Sequence, residues 1–67
     1  MRISYNKLWK MLIDKNMKKS DLKEMAGISS ASLAKLGKGD NITTDVLLRI
    51  CEVRDCRIED ILETVRD

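Results

Sequence analysis

At 67 residues with a formal net charge of +2, the chain has room for a single small domain spanning residues 1–67. It has no Phe, no Pro, no His, one Trp and one Tyr, so its core must be built from Leu, Ile, Val and Met and its fold is expected to be mostly helical. No apolar run approaches the roughly 20 residues needed to span a bilayer. Met1-Arg2-Ile3-Ser4 also lacks the apolar stretch of a signal peptide, so a cytoplasmic protein is expected.

Ser4 can cap a first helix running from about Tyr5 to Lys15. Tyr5, Leu8, Trp9 and Leu12 recur at helical spacing with Ile13 beside them, while Lys7, Lys10 and Asp14 take the wet face. Trp9 on such a stripe reads as core. Asn16-Met17 forms the connection, since Asn tolerates a left-handed helix end. Arg2-Ile3 could pair as a strand with Thr64-Val65.

A second helix carries Leu22, Met25 and Ala26 on its apolar face, and capping chemistry favours Ser20 as its N-cap. Gly27 suits the position just past its end, where a positive φ is cheap for glycine. Ile28 can plug the corner and Ser29 can cap a third helix that buries Leu33 and Leu36. Ser30, Ala31, Ser32 and Lys35 then lie largely away from the core. A helix, a Gly turn and a second helix is the sequence form of a helix-turn-helix, but it equally describes an αα-hairpin in any small bundle.

Gly37-Lys38-Gly39-Asp40-Asn41 reads as a polar loop, after which Thr43 or Thr44 caps a fourth helix with Asp45 at its positive end. Val46, Leu47, Ile50, Cys51 and Val53 make a broad apolar stripe. Arg54-Asp55-Cys56-Arg57 is a link, and Ile58, Ile61, Leu62 and Val65 predict a last helix opposite Glu59, Asp60 and Glu63. The expected fold is all-α, a compact bundle of five short helices containing a helix-turn-helix.

Catalysis is disfavoured. There is no His, no activated Ser or Cys arrangement, no carboxylate pair with a cleft, and Gly37-Lys38-Gly39 is too short to cradle a phosphate. Cys51 and Cys56 cannot complete a zinc site alone and are read as structural, with no disulfide, no metal and no cofactor expected. Charge is more informative. Nine basic residues face four acidic ones from Met1 to Thr44, and four face seven from Asp45 to Asp67. The basic half holds the helix corner, which favours a polyanionic partner there.

In its order of Leu22, Gly27-Ile28-Ser29, Leu33, Leu36, Gly39, Thr43-Thr44, Val46-Leu47-Ile50 and Ile58-Glu59-Asp60-Ile61-Leu62, the chain resembles the Cro and phage-repressor (Xre-like) helix-turn-helix family over nearly its full length. The resemblance implies a lambda-repressor-like fold and a sequence-specific, double-stranded-DNA-binding transcriptional repressor. It also implies that the second helix starts earlier than Ser20, near Lys18. Cations at that helix N-terminus gain nothing from its dipole unless a phosphate binds there.

By position, Ser29, Ser30, Ala31 and Ser32 would open the recognition helix with Lys35 one turn on, all facing base edges. Lys18, Lys19, Lys38 and Asn41 would meet DNA phosphates. Asp40 and Lys23 depart from the family's pattern: Asp40 is a poor phosphate contact, and Lys23 stands where relatives often place a small residue. Positions 29–32 hold no Arg, Gln or Asn, so DNA shape and backbone contacts are expected to carry much of the discrimination. One small module binds weakly, so a homodimer on a two-fold operator is expected, with no small-molecule ligand evident. The rival reading is a protein-interaction or antitoxin-like module on the same fold, without specific DNA binding.

Overall fold

Five side chains meet at the centre of the molecule with essentially no exposure: Leu8, Leu22, Leu36, Ile50 and Ile61. Each of four helices contributes one of them, and the closing segment contributes the last. The computed structural model describes residues 1–66. In chain order the elements are strand β1 (Arg2–Ser4), helices α1 (Asn6–Asp14), α2 (Lys19–Ala26), α3 (Ser30–Lys38) and α4 (Thr44–Arg54), a 3₁₀ turn (Ile58–Asp60) and strand β2 (Glu63–Val65). Tyr5, Leu12, Ala26, Ile28 and Leu47 complete the buried core.

The ends of the helices follow local capping chemistry. α1 starts at Asn6 with Tyr5, not Ser4, at its N-cap; Ser4 Oγ accepts the Asn6 N–H at 3.3 Å from one residue further back. α1 closes before Asn16, whose φ of 58° is the left-handed turn expected there. α2 begins at the earlier of the two expected starts. Lys18 is its N-cap, and the Asp21 carboxylate accepts the Lys18 N–H at 2.9 Å. An ionised acceptor on the third residue of a helix outcompetes the Ser20 hydroxyl, which ends up inside the first turn. Thr43 caps α4 by accepting the Val46 N–H at 3.4 Å.

The fifth helix is not formed. Residues 58–60 make one 3₁₀ turn, which the Asp60 carboxylate caps by accepting the Arg57 N–H at 2.9 Å. The chain then extends into β2, which pairs antiparallel with β1 in the register Arg2↔Val65, Ile3↔Thr64 and Ser4↔Glu63. Eight residues with apolar positions at 58, 61, 62 and 65 satisfy a helical stripe, but a helix so short is marginal by itself. A waiting partner strand and the β-branched pair Thr64-Val65 decide for the ladder. The pairing of Arg2-Ile3 with Thr64-Val65 is therefore as expected, and the fold is mostly helical rather than all-α. Other side chains also differ from expectation. Ile13, placed with the apolar stripe of α1, is mostly exposed, and Trp9, read as core, is only partly buried. Met25 is half exposed, and Leu33 is only partly buried, so Leu36 is the main anchor of α3.

Cys51 and Cys56 are free thiols that bracket the end of α4, where the Cys56 N–H donates to the Cys51 carbonyl at 3.1 Å. Asp55 between them takes a left-handed φ of 49°. Burial first, and then the neighbouring Cys51, push the Cys56 thiol up from the ordinary value of 9.0 to about 11. A thiol whose value is raised by folding contributes stability that is fully present below pH 9 and is lost as pH rises through about 11. Denaturant titrations across that window should show wild-type stability falling more steeply than that of Cys56→Ala.

Candidate nucleic-acid interface

The surface of interest is built from the corner between α2 and α3 outward. Gly27 ends α2 with φ +66°, a backbone conformation costly for a residue carrying Cβ. The Ile28 N–H reaches back to the Lys23 carbonyl at 3.2 Å, and the Ile28 side chain is buried beneath the turn. From α4, the Arg49 guanidinium donates to the Gly27 carbonyl at 3.1 Å while its Nε pairs with Asp45 at 3.1 Å. That clamp joins residues 22 positions apart. Only its local half, the Asp45–Arg49 spacing of four, is visible in the sequence.

Ser29 then starts α3. Its Oγ accepts the Ser32 N–H at 3.1 Å and donates to Ser32 Oγ at 3.1 Å, so these two hydroxyls are engaged with each other. Ser30, Ala31 and Lys35 stand exposed, Ser32 is half-buried, and Leu36 points into the core. Ala34 and Gly37 are exposed on the same helix and extend its low-relief surface. A Cβ built on Gly37 would meet nothing within 4 Å. Ala34 has no polar group to mark it in the sequence, and Gly37-Lys38, expected to open the loop, instead form the last turn of α3, with the helix ending at the left-handed Gly39.

Lys38 and Asn41 are exposed at the far end of α3 and in the loop after it. That loop is held from below. The Asp40 N–H donates to the Lys35 carbonyl at 3.0 Å, and the Asp40 carbonyl accepts the Tyr5 hydroxyl at 2.8 Å. Burial, and then the Asp40 carboxylate, raise the Tyr5 phenol above its usual value of 10.0. Tyr5 therefore does more than fill the core. It fixes the loop against α1, a long-range role that its place on the α1 stripe does not reveal.

Lys18 and Lys19 are exposed at the start of α2. The Lys19 ammonium lies 4.5 Å from the centroid of the Trp9 ring, a cation–π contact that holds the charge in place. Lys23 is partly buried, consistent with an aliphatic stem packed beside the corner and an amine left to water. The structure thus gives one exposed helix with small side chains along its outer face and lysines on it and on the flanking segments. Among the described residues, no group of three or more Cys, Asp or Glu side chains could hold a metal ion, and no helix is long and apolar enough to cross a membrane.

A capped corner between two helices, the second of them exposed, is the helix-turn-helix arrangement. Residues 7–67 match the model of the Cro/C1-type helix-turn-helix DNA-binding domain, and the chain belongs to that family. It is also similar to the crystal structure of the transcriptional regulator VanUg, form II, with a TM-score of 0.94 and 52% sequence identity. That match covers 98% of this chain and 88% of VanUg. No curated protein sequence matches the chain.

The Arg49 clamp can be weighed. Arg49→Ala removes a charged donor from a carbonyl near the surface, where water partly replaces it, and should cost about 1 kcal/mol in chemical denaturation. Helix content by circular dichroism should be retained.

Proposed function

We propose that this chain is a transcriptional regulator, a repressor, that binds a specific operator in double-stranded DNA as a homodimer. The observation that carries the reading is the exposure of α3. The helix is anchored by Leu36, and the face carrying Ser30, Ala31 and Lys35 is open to solvent. Short side chains allow a helix to sit deep in a major groove. Lys35 would donate to guanine O6 or N7, Ser30 would donate or accept at a base edge, and Ala31 would touch a thymine methyl. Ser29 and Ser32, each bonded to the other, would keep one acceptor position apiece for DNA.

Lys18, Lys19 and Lys38 would neutralise phosphates, with Asn41 donating to a phosphate oxygen beside them. The likeness to a regulator of transcription at 52% identity supports the same role here. Binding by such a module is work for a site of two half-sites, one helical turn or a multiple apart. We read the molecule as a cytoplasmic binding protein rather than a catalyst. A protein-interaction module on the same fold would bind short duplexes only as any basic protein does, without sequence preference.

Selection from random duplex DNA separates the two readings: a recovered two-fold motif supports the regulator, and recovery of no motif removes it. On the selected site, Lys35→Ala should weaken binding by roughly 1–3 kcal/mol, and its effect should vanish on duplexes altered at the guanine it reads. Lys19→Ala should lower affinity on every sequence and flatten the salt dependence by about one unit of log–log slope.

A further inference from the structure

A hollow of about 520 Å³ opens between the second half of α1 and the start of α2, walled by Trp9, Leu12, Ile13 and Met17 and bounded by Lys18 and Lys19. Its volume falls within the roughly 300–1,000 Å³ typical of small-ligand sites. The walls are apolar, and Ile13 is 75% exposed, unusual for so large an aliphatic side chain on a helix whose other face is core. The charge is all at one end. Lys19 Nζ overhangs the Trp9 ring at 4.5 Å, Lys18 precedes it in the chain, and neither ammonium is in an ion pair with a carboxylate among the described residues. An apolar trough with two lysine ammoniums at its rim, one acid nearby being spent on the Lys18 backbone N–H, complements a molecule with an apolar body and one acidic head.

From this geometry we infer that the hollow is a binding site for small amphipathic monoanions, carboxylates or sulfonates with an apolar body of medium length. The acidic head pairs with Lys18 and Lys19 and displaces the Lys19 ammonium from the Trp9 ring. The apolar body lies along Leu12, Ile13 and Met17, covering the surface that Ile13 leaves in water. Because the same two lysines are assigned to DNA phosphates, an occupied hollow would compete with DNA. That consequence rests on the proposed function, whereas the binding itself does not.

Trp9 is the sole tryptophan of the chain and forms part of the wall, so its fluorescence reports directly on the site. The test is titration of the full chain, without DNA, with decanoate below its micellar range, beside acetate and decyltrimethylammonium. Decanoate should give a saturable change, while acetate and the cationic amphiphile should give none at matched concentration. Ile13→Glu, at an exposed position, should keep the circular dichroism spectrum and weaken decanoate at least about tenfold. Leu48→Asp, on α4, should leave decanoate affinity unchanged.

An equal response to decyltrimethylammonium would overturn the inference, showing a merely greasy face. So would a change that coincides with self-association in sedimentation, which would assign the hollow to a second copy of this chain, and so would the absence of any saturable change. Adding decanoate to a DNA complex then tests the competition alone. Fluorescence binding without any loss of DNA affinity would leave the site standing and remove Lys18 and Lys19 from the phosphate contacts.

Discussion

One constraint governs this molecule: α3 must be held firmly while most of it remains in water. A helix of nine residues with Leu36 as its only fully buried side chain has little packing of its own. Its direction is therefore fixed at its ends. At the start, the left-handed Gly27, the buried Ile28, the Ser29 cap and the Arg49 clamp define where α3 departs. At the finish, the Gly39 turn and the Tyr5–Asp40 bond define where it stops. Exposed helices are usually the least stable parts of a fold. Here the stiffness comes from hydrogen bonds made by neighbours rather than from buried area beneath the helix.

Much of this was legible in the sequence because the chemistry is short-ranged. Gly27 then Ser29, with Leu22 and Leu36 at fixed distances on either side, encodes the corner within about four turns of chain. Caps and left-handed ends are properties of neighbouring residues, so Ser29, Thr43 and Asn16 could be read in place. Most of the readings that failed needed information from elsewhere in the chain, the Ser20 cap being a contest between neighbours. β2 forms because β1 is beside it, and no local periodicity can report that. Ser20 lost to Lys18 as the cap because the Asp21 carboxylate is the stronger acceptor. From the sequence, Tyr5 reads as a core aromatic and Arg49 counts only as a charge, while their decisive bonds reach 35 and 22 residues away.

Charge is distributed to match this division. The lysines named for the DNA surface lie on the exposed rim of α2, along α3 and after it, and the acidic residues concentrate in α4 and the closing segment. Asp45 and Asp60 have structural duties there, steadying Arg49 and capping the 3₁₀ turn. α3 itself carries no carboxylate, so Lys35 and Lys38 give it a net positive charge that would attract a polyanion. Lys19 is the exception among the lysines in being fixed by a ring beneath it, so it presents its charge with less side-chain entropy left to lose.

The β1–β2 ladder also shapes how the molecule is made. It joins Arg2 to Val65, so the ladder closes only when two segments far apart in the chain have met. Among the helices, α2 packs chiefly on α4, so the helix corner is braced only once the chain through Arg54 is in place. Ile61, which has no exposure in the finished core, arrives with the closing segment. Without that segment, the core around Leu8, Leu22, Leu36 and Ile50 would lack one of its five fully buried side chains.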